Sequence, residues 1–496
     1  MVYAIKQKLD HLRGANVVVI SAGYEHKRFI FDTFNSFGVN VIAVDSKDCW
    51  LDNCENLCQR VFVDLKNFDA TDSLIDQIVH SLKDVHKIDA ICTFKEIGVP
   101  IVSRLCKHFG LPGPEPFAVN TARNKFKTRE VIRKMGLDDV RSVFLCKNST
   151  FPDLKAAAKH VGFPAVLKPT SCAASIGVEK IQSLEELTSR FEISRTLFQG
   201  QAHVQNGSIV VSSEKDTFSS NLIDSDFLLE EYIGGQEVDV DMVVHNSVLV
   251  YSAVTDNGPT LEPWFNETVG VLPSALKPEQ QNELISFCFD CVKAIGFTSG
   301  VFHVEAKYDE LLKRPRLIEV NCRMGGGPVH WMHKHWSGVE LCVEQLLISL
   351  GHYRAPEMSL KHIAHDSDDT CSVDHFCGYV DSNVLKTGLL SVKCDPENVV
   401  LLVLRKYETM YKTLNFIFKQ KTNIKPGDYL VGPDTGFPSW IANISLRITI
   451  QSSSSTSSSS ASEGSMLCMD ICNRIFQDIG HEINLHIDHS VRRSMP

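Results

Sequence analysis

The stretch Glu319-Val-Asn-Cys-Arg323 decides how this sequence of 496 residues is interpreted. It ends an apolar run typical of a β-strand, and alternate side chains of a strand point to one face. Glu319, Asn321 and Arg323 therefore project together. Glu305 lies on an earlier apolar strand, and if the two strands are neighbours, two carboxylates and an amide oxygen converge. An oxygen-only site of this kind suits Mg²⁺, and the arginine offers a planar fork of donors to a phosphate.

A plainer interpretation of the same stretch is a solvated strand edge with an ordinary Glu–Arg pair, because charged residues usually sit on exposed faces. Gly325-Gly-Gly327 follows the arginine. Three glycines let backbone N–H groups approach a ligand closely, and this favours a binding site. Since no Gly-Lys-Ser/Thr follows, the glycines do not form a Walker loop.

Two lysines are candidates for holding the phosphates of a nucleotide. Lys168 ends the apolar strand Phe163–Pro169 and precedes a loop of small residues, 170–177. A lysine at a buried strand end needs an anionic partner, because an unpaired buried ammonium is costly. Lys125 lies in a charged amphipathic pattern that predicts one helix over Thr121–Lys134 and could supply a second cation.

A further candidate is the strand Leu228–Ile233, which leads into Gly234-Gly235 and Glu237. A strand that runs into a turn offers free backbone N–H and C=O groups to a purine edge, and Glu237 could bind ribose hydroxyls. The alternative for this stretch alone is a simple β-hairpin.

The N-terminal third has the pattern of a parallel sheet. Val17–Ile20 and Val39–Val44 predict strands around a helical pattern, and Ile88–Phe94 predicts another strand. Strand–helix–strand order implies a right-handed crossover. The stretch 21–25 lacks the three-glycine spacing of a dinucleotide fold, which argues against nicotinamide binding. The Pro/Gly-rich stretch 111–116 reads as a linker that closes this domain.

Later strands are predicted at Val301–Ala306, Leu317–Asn321 and Trp440–Ile450, and a helix at Val339–Leu350. The nearly pure serine run 452–465 predicts a flexible polar segment that cannot form a core. A helical face follows it over Leu467–Ile479. We therefore expect the serine run to interrupt a strand–helix–strand unit.

Composition limits the function. The formal net charge is −10, so no basic field would draw the chain to nucleic acid or an anionic membrane, and a small-molecule partner is favoured. Sixteen cysteines without an export signal or a membrane-length apolar run predict reduced thiols in the cytoplasm. Two metal clusters are weighed and disfavoured: Cys49, Cys54 and Cys58, and the three histidines of the stretch 330–336.

Taken in order, these motifs resemble the ATP-grasp superfamily, and within it they are most similar to the carnosine synthases. The closer similarity is carried by the stretches 231–241, 255–260, 265–268, 300–305 and 316–326. The resemblance implies a mixed α/β and α+β fold in three parts. These are a Rossmann-like pre-ATP-grasp domain over 1–118, the ATP-grasp nucleotide-binding and catalytic region over 119–350, and a C-terminal α+β lid region over 351–496. It also implies a homo-oligomer.

The resemblance further implies the role of each site residue. ATP and Mg²⁺ (or Mn²⁺) would be the cofactors, with Glu305, Glu319 and Asn321 as metal ligands and Arg323 as the catalytic residue. The nucleotide would meet Lys125, Lys168, the side chain of Glu230, the main chain of Glu231 and Ile233, and Glu237. The substrates would meet Glu96, Asp256, Glu267 and Gly326, with Asp256, Glu267 or the departing phosphate as general base.

The resemblance implies an ATP-dependent ligase that activates the carboxylate of β-alanine as an acyl phosphate and joins it to L-histidine, which gives ADP, phosphate and a dipeptide. The sequence departs from related amino-acid ligases at Val269 and Gly270, where a histidine is common. A ligase for another amino-acid pair is therefore an alternative, and a nucleotide-binding protein with a dead site is another.

Overall fold

The computed structural model describes residues 12–352 except 48, 55, 66–69, 173–174, 198–201, 206–207, 212–225, 261, 266, 268 and 328. After residue 352 it describes 370–377, 389–392, 396–410, 415–422, 429–431, 442–451, 466–478 without 468 and 476, and 487–493. The serine run 452–465 lies outside the described residues.

The N-terminal sheet is parallel, as predicted. Its strands are β1 (Asn16–Ile20), β2 (Asn40–Asp45), β3 (Gln59–Phe62) and β4 (Ala90–Cys92), in the order β3-β2-β1-β4. The helices are α1 (Arg28–Ser36), α2 (Asp72–Ser81) and α3 (Val99–Phe109). Apolar side chains cover both faces of the sheet, as expected for a Rossmann-like unit. The predicted strand 88–94 is shorter than expected, and β3 was not predicted.

Two helices replace the single helix predicted over Thr121–Lys134. The first is α4 (Pro116–Ala122) and the second is α5 (Lys125–Lys134). The break falls at Asn124, whose side chain accepts a hydrogen bond from the Lys127 backbone N–H at 3.0 Å. Asparagine favours this capping position, so it starts a new helix where the charge pattern alone predicts continuity. Lys125 is thereby placed in the first turn of α5.

The second sheet is antiparallel and carries the cationic side of the site. Its strands are β5 (Ser142–Leu145), β6 (Ala165–Pro169), β7 (Glu179–Ile181) and β10 (Phe227–Glu231), in the order β5-β10-β6-β7. Helices α6 (Phe151–Val161) and α7 (Leu184–Leu197) belong to this part, and the hairpin β8 (Ala202–Gln205) and β9 (Ser208–Val211) follows α7.

The central sheet has eight antiparallel strands in the order β15-β14-β11-β12-β13-β16-β20-β18. The first five are β11 (Gln236–His245), β12 (Val248–Asn257), β13 (Val269–Leu272), β14 (Gly300–Asp309) and β15 (Arg314–Asn321). Helix α8 (Pro278–Ile295) packs on one face of them with a large apolar core. Helices α9 (Val329–Trp336) and α10 (Leu341–Ser349) follow β15.

The C-terminal region continues this sheet. Strand β16 (Thr370–Cys377) pairs with β13, and β20 (Ala442–Gln451) lies between β16 and β18 (Asn415–Thr422). A separate sheet of β17 (Leu389–Val392), β19 (Tyr429–Val431) and β21 (Ile487–Arg493) and the helix α11 (Pro396–Met410) complete it. The described residues between 466 and 478 are helical. The strands before and after them, β20 and β21, lie in different sheets, so the predicted strand–helix–strand unit does not form within one sheet. Within the described residues, no helix is both long and apolar enough to cross a membrane.

Candidate nucleotide and metal site

The three predicted metal ligands meet on neighbouring strands. Strands β14 and β15 are antiparallel, and Glu305 lies directly opposite Glu319. The Asn321 side-chain amide donates hydrogen bonds to Glu305 Oε1 at 3.2 Å and to Glu319 Oε1 at 3.1 Å. The Asn321 amide thus lies beside both carboxylates with its nitrogen towards them, and reversal of the amide would turn its oxygen to the same place. This donor set fits the oxygen ligands that Mg²⁺ prefers.

The two carboxylates have opposite pKa shifts. Burial and the neighbouring Glu319 raise the pKa of Glu305 well above its ordinary value. Burial also acts to raise the pKa of Glu319, but the Lys125 ammonium outweighs it and lowers that pKa to about 2. Two close carboxylates resist joint ionisation unless a cation lies beside them. The pair therefore favours binding of positive charge.

Lys125 is fixed on both sides. Its backbone N–H donates to the carbonyl of Thr170 at 2.8 Å, which ties the start of α5 to the end of β6. Its ammonium lies 2.6 Å from Glu319 Oε2 and 3.5 Å from the Cys172 sulfur. The charge on Lys125 thus stands between the small-residue loop and the carboxylates.

Lys168 and Glu230 form a buried charge cluster with Arg129, a residue that the sequence interpretation missed. The Lys168 ammonium pairs with Glu230 Oε1, and Arg129 Nε donates to Glu230 Oε2 at 2.9 Å. Burial opposes ionisation of Glu230, yet the two cations hold its pKa at about 2. Arg129 lies one helical turn after Lys125 on α5, so the two cations share one face of that helix.

The segment from Glu230 to Glu237 forms the predicted strand and turn. Glu231 points its carboxylate away from Lys168 and pairs with Arg141 at 2.7 Å and Arg316 at 2.8 Å. Its backbone N–H donates to the Arg141 carbonyl at 2.9 Å. At Gly235 the φ angle is +99°, and a Cβ there would lie 2.0 Å from the Tyr308 carbonyl oxygen. Only glycine fits this close approach.

Glu237 pairs with Lys307, another residue that the sequence interpretation missed. The two charged ends are 3.3 Å apart. Lys307 follows Glu305 by two positions on β14, so strand alternation predicts that both side chains face the same way. The alternation rule applied to Glu305 would have identified it.

Arg323 connects the site to the N-terminal domain. Its Nε lies 3.2 Å from Glu96 Oε2, and Arg123 Nε lies 3.6 Å from Glu96 Oε1. Another Arg323 nitrogen donates to Asn321 Oδ1 at 3.4 Å. Glu96 therefore stands beside the predicted catalytic arginine although the two residues are far apart in sequence.

The other predicted substrate residues are placed differently from one another. Glu267 lines the cavity with part of its surface exposed to solvent, and partial desolvation together with the nearby Glu237 and Glu319 carboxylates raises its pKa. Gly326 is exposed in the turn between β15 and α9.

Asp256 does not face the site. It lies opposite Val238, whereas Asp239 lies opposite Glu305 and Thr255, so Asp256 points to the other face of the sheet. Its oxygens accept hydrogen bonds from the Ser274 hydroxyl and the Ala275 backbone N–H. Burial raises its pKa to about 6. The prediction of Asp256 as a substrate contact and a possible general base is therefore corrected, because its carboxylate is hydrogen-bonded within the turn at Ser274 and Ala275 and does not face the cavity.

A cavity lies between the second sheet and the central sheet, and its empty volume is about 730 Å³ when the solvent at its open mouth is included. Most of the residues that line it are charged, and a smaller number are apolar or aromatic. The lining includes Lys125, Lys168, Glu230, Glu231, Ile233, Glu237, Glu267, Glu305, Lys307 and Glu319, with Val166, Ile318, Tyr232 and Phe265 as apolar or aromatic walls.

The histidines of the stretch 330–336 do not converge. His333 Nε2 donates to Asp241 Oδ2 at 3.1 Å, and His333 Nδ1 is hydrogen-bonded to the Tyr251 hydroxyl at 2.6 Å. His335 contacts the Trp331 carbonyl at 2.7 Å. In the part of the chain that the structure describes, Cys49, Cys54 and Cys58 do not form a group of three close metal-ligating atoms either.

The fold and this site together define a class. Residues 161–330 match the ATP-grasp domain. The chain superposes on an L-amino acid ligase from Bacillus licheniformis with a TM-score of 0.67 over 96% of this chain and 98% of that one, at 17% identity. A structure of N5-carboxyaminoimidazole synthase from Aspergillus clavatus in complex with ADP superposes with a TM-score of 0.59 over 93% and 100%, at 14% identity. The chain therefore has the ATP-grasp fold.

Among curated proteins, the chain is similar to carnosine synthase 1 of Mus musculus, at 27% identity over 68% of this chain and 40% of that protein. It is also similar to alanine–anticapsin ligase of Bacillus subtilis strain 168, at 26% identity over 51% of this chain and 52% of that protein. The matched part of the chain spans only about 40% of the length of the carnosine synthases.

Proposed function

We propose that the chain is an ATP-dependent carboxylate–amine ligase that joins two amino acids, and that β-alanine and L-histidine are the pair. The observation that carries the proposal is the convergence of Glu305, Glu319 and Asn321 on neighbouring strands, with the Lys125 ammonium directly beside Glu319 in the cavity. The similarity to two amino-acid ligases, carnosine synthase and alanine–anticapsin ligase, supports the reaction class.

We assign the cationic residues to the phosphates and the anionic residues to the metal ion and the ribose. Lys125 and Lys168 would hold the phosphates, Ile233 and Val166 would flank the purine, and Glu237 would meet the ribose. Glu305, Glu319 and Asn321 would hold Mg²⁺ (or Mn²⁺), and the ion would supply positive charge that neutralises the phosphates. Catalysis of phosphoryl transfer is then mainly positioning and charge neutralisation, for which this site is built.

The reaction has two steps. A carboxylate oxygen of the first amino acid attacks the γ-phosphorus of ATP, the bond to the β-phosphate oxygen breaks, and ADP leaves. The amine of the second amino acid then attacks the acyl phosphate carbon, and the carbon–oxygen bond to phosphate breaks. Arg323 would neutralise the transferred phosphoryl group and the tetrahedral intermediate. The amine proton passes to Glu267 or to the departing phosphate.

A different amino-acid pair is a second candidate, and Gly270 favours it. Gly270 lies opposite Asn257 on the site face of the central sheet, at a stretch where related ligases often carry a histidine. Among the described residues, a Cβ there would meet a Thr255 methyl at 3.5 Å, which is ordinary contact. Gly270 itself places no side chain on this face, where related ligases have a histidine, and this difference supports a different substrate.

The test is a screen of amino-acid pairs with ATP and the purified chain, with products read by mass spectrometry. The proposal expects ADP and phosphate only when both amino acids are present, with β-alanine and L-histidine as the best pair. Release of AMP and pyrophosphate would refute the acyl-phosphate route. Glu319→Ala and Arg323→Ala should each reduce turnover to background; unchanged turnover in both would point to a contaminating ATPase and a dead site.

A further inference from the structure

Three metal-ligating side chains converge outside the nucleotide cavity. His330 lies in the first turn of α9, and Glu340 and Cys342 lie at the start of α10. One nitrogen, one oxygen and one sulfur from these residues lie within 4.8 Å of one another. His330 Nε2 is 3.8 Å from Glu340 Oε2. None of the three residues lines the nucleotide cavity.

The polar atoms of this cluster are poorly satisfied by protein. The His330 side chain is only 8% exposed, and its Nδ1 has no hydrogen-bond partner among the described residues. Glu340 Oε2 is buried and accepts no well-aligned hydrogen bond from them, although the Lys334 ammonium lies 2.9 Å away. Buried polar atoms without partners are rare in folded proteins, and an unpartnered nitrogen on a buried ring beside the Glu340 carboxylate indicates that something else binds there.

A direct ion pair between His330 and Glu340 does not explain the cluster, because the 3.8 Å between His330 Nε2 and Glu340 Oε2 is longer than a charge-assisted hydrogen bond. The Cys342 sulfur lies within 4.8 Å of both ligand atoms. An ion that binds all three atoms would account for this spacing.

We propose that His330, Glu340 and Cys342 bind a Zn²⁺ ion, with water as the fourth ligand. Imidazole nitrogen, carboxylate oxygen and thiolate sulfur are the three ligand types that zinc takes in proteins. One carboxylate and one thiolate balance the two positive charges of the ion. Lys334 is 44% exposed on its side chain and can keep its contact with Glu340 or move into solvent. This proposal is independent of the proposed ligase activity.

The position of the site indicates a structural role. The ion would join the start of α9 to the start of α10, directly after the segment that holds Arg323 and the three glycines. The His330 ring also stacks on Phe29 of α1, with ring centroids 4.4 Å apart and an interplanar angle of 24°. The ion would therefore fix the end of the catalytic segment against the N-terminal domain.

Cobalt is the probe for the test, because a Co²⁺–thiolate bond gives an absorption band in the near ultraviolet. The full chain would be purified under reducing conditions, stripped with a chelator and titrated with Co²⁺ in excess Mg²⁺ and ADP, which occupy the nucleotide site. We expect one equivalent of Co²⁺ to produce the thiolate band and the visible bands of a four-coordinate ion, and Zn²⁺ to displace both.

Variants assign the band to a cysteine. Cys342→Ser should abolish the thiolate band. His330→Gln and Glu340→Gln should each weaken Co²⁺ binding by at least about tenfold, because even residues that contact a metal ligand indirectly cost about that much affinity when replaced. Cys322→Ser and Cys172→Ser are matched controls beside the nucleotide site and should keep the band. Absence of the band in the wild-type chain, or its loss in Cys322→Ser or Cys172→Ser instead, would overturn the proposal. If Cys342→Ser fails to fold, unchanged Co²⁺ affinity in the His330 and Glu340 variants overturns it equally.

Discussion

Replacing Glu230 by glutamine removes the anion from the centre of the buried charge cluster. Glu230 is 3% exposed and sits between Arg129 and Lys168, which are equally buried. The substitution keeps the shape of the side chain but leaves two buried cations without a carboxylate. Breaking a buried ion pair on one side typically costs about 3–5 kcal/mol.

The pKa of Glu230 gives a second measure of the same effect. It falls from 4.5 to about 2 in the folded chain. Since one pKa unit corresponds to about 1.4 kcal/mol, ionisation of Glu230 contributes roughly 3 kcal/mol to stability at neutral pH. Because the folded pKa is lowered, this contribution is present above pH 4.5 and is lost as the pH falls from 4.5 towards 2.

Hydrogen–deuterium exchange measures the free energy of local opening, segment by segment, which suits a chain of several domains. A loss of about 3 kcal/mol corresponds to about 100-fold faster exchange through local opening, since about 1.4 kcal/mol is a factor of ten. We expect that acceleration at pH 7 in peptides covering α5 and β6 of Glu230→Gln. The difference from wild type should shrink below pH 4.5.

Glu231→Gln is the matched control on the neighbouring residue. The Glu231 side chain is 18% exposed, and its partner Arg316 keeps Asp138 at 2.8 Å. Because Arg316 keeps a carboxylate partner and the other partner, Arg141, is 54% exposed, no buried cation is left unpaired, and exchange should change far less than in Glu230→Gln. Equal exchange rates in wild type and Glu230→Gln, or equal acceleration in both variants, would refute the reasoning about the buried cluster.

Three further predictions follow from the site and the central sheet. Lys125→Met should lower kcat/KM for ATP by about 100-fold, which is the scale of losing one positioned charge, because Glu319 then loses the ammonium beside it. ADP release that depends on the amino acids measures this change, and an unchanged kcat/KM would contradict the assigned role. Asp256→Asn should leave turnover within a few-fold of wild type but lower the thermal unfolding temperature, and a large loss of kcat at unchanged stability would return Asp256 to the site. Burial alone lowers the pKa of His303, but two aspartates outweigh it and raise that pKa to about 10. His303 therefore stabilises the fold below pH 6.5, and the effect fades as the pH rises to 10; unfolding temperatures across this range should fall in wild type but stay flatter in His303→Gln.

The sequence predicts those parts of the fold that depend on short-range patterns. The parallel N-terminal sheet follows from apolar β-branched runs around a helix, and β14 and β15 follow from their alternation. The pairing of Glu305 with Glu319 needed one assumption, that these strands are neighbours, and the structure gives that register. The break at Asn124 shows the limit, because one capping side chain decided it against the pattern of charges.

The residues missed by the sequence interpretation are those whose partners lie far away in the chain. Arg129 sits in a helix rich in lysine and arginine, so nothing local separates it from surface charges. Only the contact with Glu230, from a strand about a hundred residues later, shows that it is buried. Glu96 was assigned from resemblance alone, and its contact with Arg323 depends on how the N-terminal domain packs.

In the central sheet, neighbouring residues of one strand face opposite sides, so one lies in the site and the next packs in the core. Asp256 and Asn257 are adjacent, yet Asp256 faces the core side with Val238 while the Asn257 amide donates to Asp239 at 3.1 Å on the site side. Whether a carboxylate belongs to the site therefore depends on which face of the strand it occupies, and its position within a sequence motif is weaker evidence. The same alternation places Gly270 beside Asn257 on the site side. Substrate choice should thus depend on the residues of β12 and β13 that face the site. A side chain introduced at Gly270 should change which amino acid is accepted while leaving ATP use little changed.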